Sequence, residues 1–283
     1  MNGSQTDGAE HALYELLPAT GSDLHYALLY APRDAQHALR LIESFRTLIA
    51  AIPLQCSSPE LTAVKLAWWH DEVSLLGTPR ARHALTRTLG PLAERYTDLA
   101  KGCSELVEGI TALLSLGRFT SVNERRQALA AAHGRLWEVH VGACGEERGV
   151  ARDAAVELGI VLEHVYVLRN LRRHVEAGLA WVCRDREPAG AGDCPDADWY
   201  AALGALEGPA LAADLAATRR ELALHARHPR RLQSVFALAA MAAACLDEIR
   251  ADGYRVWEHR IELTPLRKLW LAWKTTWTAR SVI

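Results

Sequence analysis

Apolar residues recur at three- and four-residue spacing along almost the whole chain, and no stretch sustains the alternation of a half-buried strand. Ala38, Leu41, Ile42, Phe45, Leu48, Ile49 and Ile52 make one stripe, closed by Pro53. A second helix is expected from about Pro59, capped by Ser57 or Ser58, to Gly77 at the position that favours a left-handed residue. On it Leu61, Val64, Trp68, Asp71 and Leu75 share a face, which predicts a partly buried, ion-paired Asp71. Further helices are expected over about 80–89, 92–116, 122–144, 150–177, 207–226, 230–252 and 265–278. The buried stripe of the 150–177 helix is Ala151, Ala154, Leu158, Val161, Leu162, Val165 and Leu168. Residues Arg184 to Asp198 are rich in Pro, Gly and Asp and form the one long loop. The helices on either side of it have the same character, and the piece after it is small for a core of its own. The pattern therefore predicts one all-α domain over 22–283, preceded by a flexible segment, 1–21.

Composition narrows the function only a little. With 283 residues, half of them hydrophobic, and a net charge of −2, the chain can bury a sizeable core and has no bulk affinity for nucleic acid. Six cysteines without a CxxC pair, and an N-terminal stretch with no apolar core, point to a reducing, cytoplasmic setting. No apolar run approaches the ~20 residues that span a bilayer.

Three clusters carry candidate chemistry. Glu43, Arg46 and Ala50 lie together on the face of the 38–52 helix away from its apolar stripe. Arg169, Arg172, Arg173 and His174, with Asn170 among them, make a basic patch within two helical turns. Such a patch can hold a phosphate or carboxylate directly, complement the helix dipole as a solvated end, or meet a protein partner. Asp71 and Glu72 are the candidate acid/base or metal-ligating carboxylates, but neighbours on a helix point about 100° apart and cannot both face one ion. The chain has no phosphate-cradling glycine loop and no HExxH, and His225 with His228 lacks a third ligand.

At the C-terminus Thr264 can cap and Pro265 can open a helix. Leu266, Leu269, Trp270, Trp273 and Trp277 then fall on one face, with Arg267, Lys268 and Lys274 off it. Docking of that stripe onto the bundle is the expected arrangement, and weak contact with a membrane surface is the alternative.

Ala38 to Pro53 and Val161 to Cys183 resemble the two metal-binding helices of the squalene/phytoene synthase family, where each carries a DxxxD motif. The matching positions here are Ile49, Ala50 and Pro53, then Asn170 and His174, and Leu179 and Cys183 replace an arginine and a proline that follow in the family. The resemblance runs over nearly the whole chain from about Ser22. Trp68-Trp69-His70-Asp71-Glu72 and the end of the chain, Asp252 through Trp270, are most similar to a divergent branch. That branch includes bacterial stand-alone proteins and a mitochondrial complex I assembly factor.

The resemblance implies an isoprenoid-synthase-like helical bundle around a central cavity. It also implies that Arg46, Arg169, Asn170, Arg172, Arg173 and His174 face the cavity or an anion. Active members join two isoprenyl diphosphates using magnesium held by both aspartate motifs. Without those carboxylates the expected protein has no catalytic residue, metal site or cofactor, and serves as an isoprenoid- or lipid-binding module or a protein-assembly module. The alternative is a magnesium-dependent prenyltransferase with a rearranged site that uses Asp71, Glu72 or carboxylates from other helices.

Overall fold

The computed structural model describes residues 18–116, 119–146, 149–179, 181–188 and 196–278. Among them the chain forms eleven α-helices. They are α1 (Asp23–Leu28), α2 (Gln36–Gln55), α3 (Pro59–Ser74), α4 (Ala84–Arg95), α5 (Leu99–Ser115) and α6 (Val122–Ala143). After these come α7 (Val150–Arg169), α8 (Leu171–Glu176), α9 (Ala197–His225), α10 (Gln233–Ala251) and α11 (Pro265–Thr278). One 3-10 turn, Arg184–Arg186, and one isolated bridge, Phe119 to Cys183, are the other regular features.

Side-chain caps explain where the helices start. Ser22, Ser58, Ser121 and Asp196 each accept the backbone N–H three residues on, and Pro59 occupies the first position of α3. Three prolines do not end helices. Pro53 lies inside α2, Pro91 inside α4, and α9 begins at Ala197 and runs through Pro209. Each removes one backbone hydrogen bond, but α2 packs on α4, α5 and α6, α4 on α2 and α5, and α9 on α7. The expected 150–177 helix is split at Asn170, whose side-chain amide donates to the Tyr166 carbonyl (2.8 Å) and competes with the helical ladder.

A single continuous core draws side chains from α1 through α10 and joins them into one domain. A small second cluster, including Ala27, Met241, Leu263 and Ala272, seats α11 on α1 and α10. Residues 1–17, the bulk of the expected flexible segment, lie outside the described residues, as do 189–195 of the long loop. Pro18 and Ala19 pack at the central cavity.

One close contact positions the cavity floor. The Trp137 indole of α6 lies directly on Gly159 of α7, where a Cβ would come within 2.3 Å of a ring carbon. Gly159→Ala is therefore expected to lose about 1–3 kcal/mol by overpacking, more than the gain of about 1 kcal/mol in helix propensity. Urea denaturation measures this, and a stabilised variant would refute the packing argument.

Candidate functional site

Glu43, Arg46 and Ala50 share a face of α2, and that face meets α6 and α7. Arg46 donates to Glu43 from Nε (2.9 Å) and Nη2 (2.6 Å), and ion-pairs with Glu163 of α7. Its guanidinium lies 5.0 Å from the centroid of the Trp137 ring, whose Nε1 donates to Glu163 (3.3 Å). On the other side Glu43 meets His140 Nδ1 at 2.7 Å. All of these groups are largely or fully buried. Burial alone would raise the Glu43 pKa, but Arg46 and His140 outweigh it and hold the carboxyl at about 2. His140 is pushed to about 9 despite its burial, by Cys144 and by Glu43. The result is a buried chain of alternating charges.

Above this chain lies a cavity of about 300 Å³, at the lower end of ligand-binding size. Leu24, Leu162, Val165, Leu238 and Ala242 make its walls apolar, and Ala50 and Trp137 add to them. Exposed lining residues, Ala19, Thr47, Arg260 and Glu262, mark its mouth. Its carboxylates are already matched with cations. Glu163 pairs with Arg46, Asp23 with Arg169 (2.6 Å) and Lys268 (2.9 Å), and Glu262 with Lys268 (3.1 Å). Arg169 and Lys268 hold Asp23 below the usual carboxylate range against the effect of burial.

The structure divides the basic patch that the sequence placed in two turns. Arg169 is a wall of the central cavity. Arg169 and Arg260 also line an adjoining pocket of about 90 Å³, together with Asn170, Arg172, Arg173 and His259. Arg172 donates to Glu176 (2.8 Å) and lies over the Trp257 ring, while Arg173 is exposed and has no ion-pair partner among the described residues. His174 turns inward. Burial, then the charge of Arg173, depresses its pKa to about 3, so it is neutral near pH 7.

Asp71 and Glu72 sit apart from both cavities. The expectation of a partly buried Asp71 is corrected: its side chain is 79% exposed, and Glu72 is the buried one. The inward face of α3 is Thr62, Leu66, Trp69, Glu72 and Val73, one position round from the expected stripe. Glu72 accepts from the backbone of Arg82 and His83 (both 2.8 Å), from Thr86 (2.6 Å) and from Arg82 Nε (3.0 Å). These donors hold its pKa at about 2 against the effect of burial, and they tie α3 to the start of α4.

Sequence reasoning missed Glu163, Asp23, Arg260 and Lys268. Glu163 left a trace as a charged residue inside the apolar run Val161 to Leu168, and Lys268 as a cation off the C-terminal apolar stripe.

The squalene/phytoene synthase family model matches residues 17–267. The chain belongs to the squalene/phytoene synthase family. A dehydrosqualene synthase crystallised with a ligand shares the fold with a TM-score of 0.73 and 12% identity, covering 92% of each chain. The squalene synthase HpnC from Alicyclobacillus acidocaldarius superposes with a TM-score of 0.68 and 16% identity, over 87% of this chain and 95% of that one. A comparison with curated protein sequences finds no significant match.

Squalene/phytoene synthase catalysis implies magnesium, and the residues present do not fit it. Magnesium needs hard oxygen ligands in near-octahedral geometry. Ile49 is core, Ala50 and Pro53 have no side-chain oxygen, and Asn170, whose NH2 goes to the Tyr166 carbonyl, keeps one unpartnered amide oxygen, a single neutral ligand where the family pattern has carboxylates. Ala50, Pro53 and His174 instead line a small space of about 20 Å³ with Leu179 and Trp181, room for about one water. Among the described residues no three His, Cys, Asp or Glu side chains converge as a ligand set.

Proposed function

We propose that this squalene/phytoene synthase family member binds an isoprenoid or similar amphiphile with an anionic head and does not convert it. One observation carries the reading: the apolar cavity and the basic pocket share Arg169 and Arg260 as a common wall. An apolar tail of modest length suits the first space, where Leu162, Val165, Leu238 and Ala242 offer only dispersion and burial. A phosphate or carboxylate suits the second, where Arg172 and Arg173 add guanidinium donors. Arg46, Asn170 and His174 belong to the surrounding frame. Arg46 fixes the floor through Glu43 and Glu163, Asn170 ends α7 so that the arginines turn toward Trp257, and His174 seals the closed space behind.

Conversion of an isoprenyl diphosphate needs the leaving diphosphate to be neutralised as its bond breaks, and metal ions usually supply several kcal/mol of that stabilisation. Arginines can bind the same group, but here Arg169 is already committed to Asp23. Ground-state binding without a matching gain in the transition state leaves the barrier unchanged.

Thermal unfolding of the full chain with farnesyl diphosphate or pyrophosphate tests this reading. At a hundredfold excess over Kd, binding stabilises by about 2.7 kcal/mol, a rise of about 5 °C for a domain of this size. The rise should survive EDTA and should shrink for each ligand in an Arg172→Glu/Arg173→Glu variant, whose fold is safe because both side chains are exposed. Farnesyl diphosphate incubated with magnesium should be recovered intact. Magnesium-dependent squalene-like product, or a melting temperature that neither ligand moves, would overturn the proposal.

A further inference from the structure

The C-terminal helix docks on the bundle by the face that its composition disfavours. Its buried side chains are Lys268, Ala272 and Thr275, while Leu266, Leu269, Trp270, Trp273 and Trp277 all point outward. The reason is the Lys268 ammonium, which is 1% exposed and sits 3.0 Å from the Gly21 carbonyl, 2.9 Å from Asp23 and 3.1 Å from Glu262. Two carboxylates and a carbonyl compensate a buried cation there, and rotating the helix to bury its tryptophans would break that arrangement. The outward face is large. Trp270, Trp273 and Trp277 are each about half exposed and Leu266 is 80% exposed. Together they present on the order of 500 Å² of apolar surface, at the top of the range for a single patch on a monomer.

We infer that this face of α11 seats the protein on an anionic lipid bilayer, as an interfacial helix lying in the plane of the surface. Charge favours this occupant. Residues 265–278 contain no acid; of their three cations Lys268 is buried and Arg267 ion-pairs with Glu248, so Lys274 is the cation presented beside the stripe. Arg267 and Lys274 flank the aromatic stripe on one edge, and Lys274 lies over the Trp270 ring at 4.9 Å. Tryptophan on an apolar stripe with basic residues at its edge matches the acyl–headgroup boundary, where the indole buries its ring and keeps its N–H near water. A second copy of the chain fits less well. Stable interfaces bury about 800 Å² per partner, more than this face offers. Among the described residues no helix is long and apolar enough to cross a membrane, so the contact is a surface one.

The position of α11 gives the contact a use. Lys268 grips Gly21, Asp23 and Glu262 at the rim of the central cavity, so the cavity mouth lies about one helix diameter, roughly 10 Å, from the aromatic face. An apolar cavity then opens beside the bilayer surface. The docking itself is read from α11 alone and holds whether or not the cavity proves to bind an amphiphile.

Flotation of the full-length protein tests it, using vesicles of phosphatidylcholine alone and with about one-third phosphatidylglycerol. The protein should float with the anionic vesicles, and binding should weaken as salt is raised. Trp270→Ser/Trp273→Ser, which leaves the docked face intact, should reduce the bound fraction at least tenfold with an unchanged circular dichroism spectrum. Lys274→Glu should weaken binding at low salt only. Failure of the wild type to float, or equal flotation of the tryptophan variant, would overturn the inference. So would a wild-type dimer in sedimentation that the same variant converts to monomer, because the face would then be a self-interface.

Discussion

Replacing Arg46 with leucine is expected to destabilise the fold by about 3–5 kcal/mol, the usual consequence of removing one partner from a buried charge network. Among the described residues Arg46 is the only cation that touches both Glu43 and Glu163. Without it Glu43 keeps His140 and Glu163 keeps the Trp137 N–H, and neither suffices for an ionised carboxylate in so apolar a place. Leucine preserves most of the packing on Trp137, so the loss reports charge rather than volume. Out of a total stability of roughly 5–15 kcal/mol, such a loss is readily seen in urea denaturation. The double variant Arg46→Leu/Glu163→Gln should recover at least about 1 kcal/mol, because one stranded charge is gone. A single-variant cost below about 1 kcal/mol would mean that water or relaxation reaches the site and that the network is not sealed.

Acid is expected to unfold the protein over an unusually high pH range, driven by three histidines. His133, His164 and His174 are buried with at least one ring nitrogen lacking a hydrogen-bond partner, and each has a pKa of about 3 in the fold against 6.5 in the open chain. Burial is the main cause in each case. Arg46 adds to it at His133, Arg125 and Arg126 at His164, and Arg173 at His174. A folded pKa below the unfolded one means that the unfolded chain takes up these protons first, so stability falls as pH drops from 6.5 toward 3. Each proton contributes about 1.4 kcal/mol per pH unit, and three together about 4 at most. From pH 4.5 downward Glu43 and Glu72, both near 2 in the fold, add to the loss. His140 works at the other end. Its folded pKa of about 9 gives a contribution that is complete below 6.5 and fades as pH rises to 9. Stability should therefore peak near pH 6.5 to 7 and fall more steeply on the acid side. Urea midpoints from pH 7 to 5 measure the slope. His174→Leu, placed against Leu179 and Trp181, should remove about one proton from it. A wild-type slope of one proton or less would contradict the closed environment of these rings.

Both experiments probe residues of uneven visibility in the sequence. The Glu43–Arg46–Ala50 face was legible from spacing alone, since three residues at helical intervals must share a side. Its partners Glu163, His140 and Trp137 were not, because they lie 91 or more positions along the chain and nothing local ties them to α2. The basic patch was visible as composition, but its division was not. One side chain, Asn170, by bonding back to Tyr166, sends Arg169 into the cavity wall, Arg172 and Arg173 to the outer pocket, and His174 inward.

By itself the sequence determined the helical class, the order of the helices and several of their starts. Period, capping serines and a first-position proline are local properties, and a chain of 283 residues with a helical repeat throughout has little else to become. Only the tertiary structure decided which way certain helices turn. On α3 apolar residues lie on more than one side, and the cluster of donors around Glu72 selects the inward face over the stripe that held Asp71. On α11 the most apolar face would ordinarily go inside, but a buried lysine finds its compensating oxygens at Gly21, Asp23 and Glu262 beside the cavity, and the tryptophans are left facing out. In both helices a charge that must be satisfied sets the rotation, and its partners lie on other segments of the chain, beyond the reach of any local pattern.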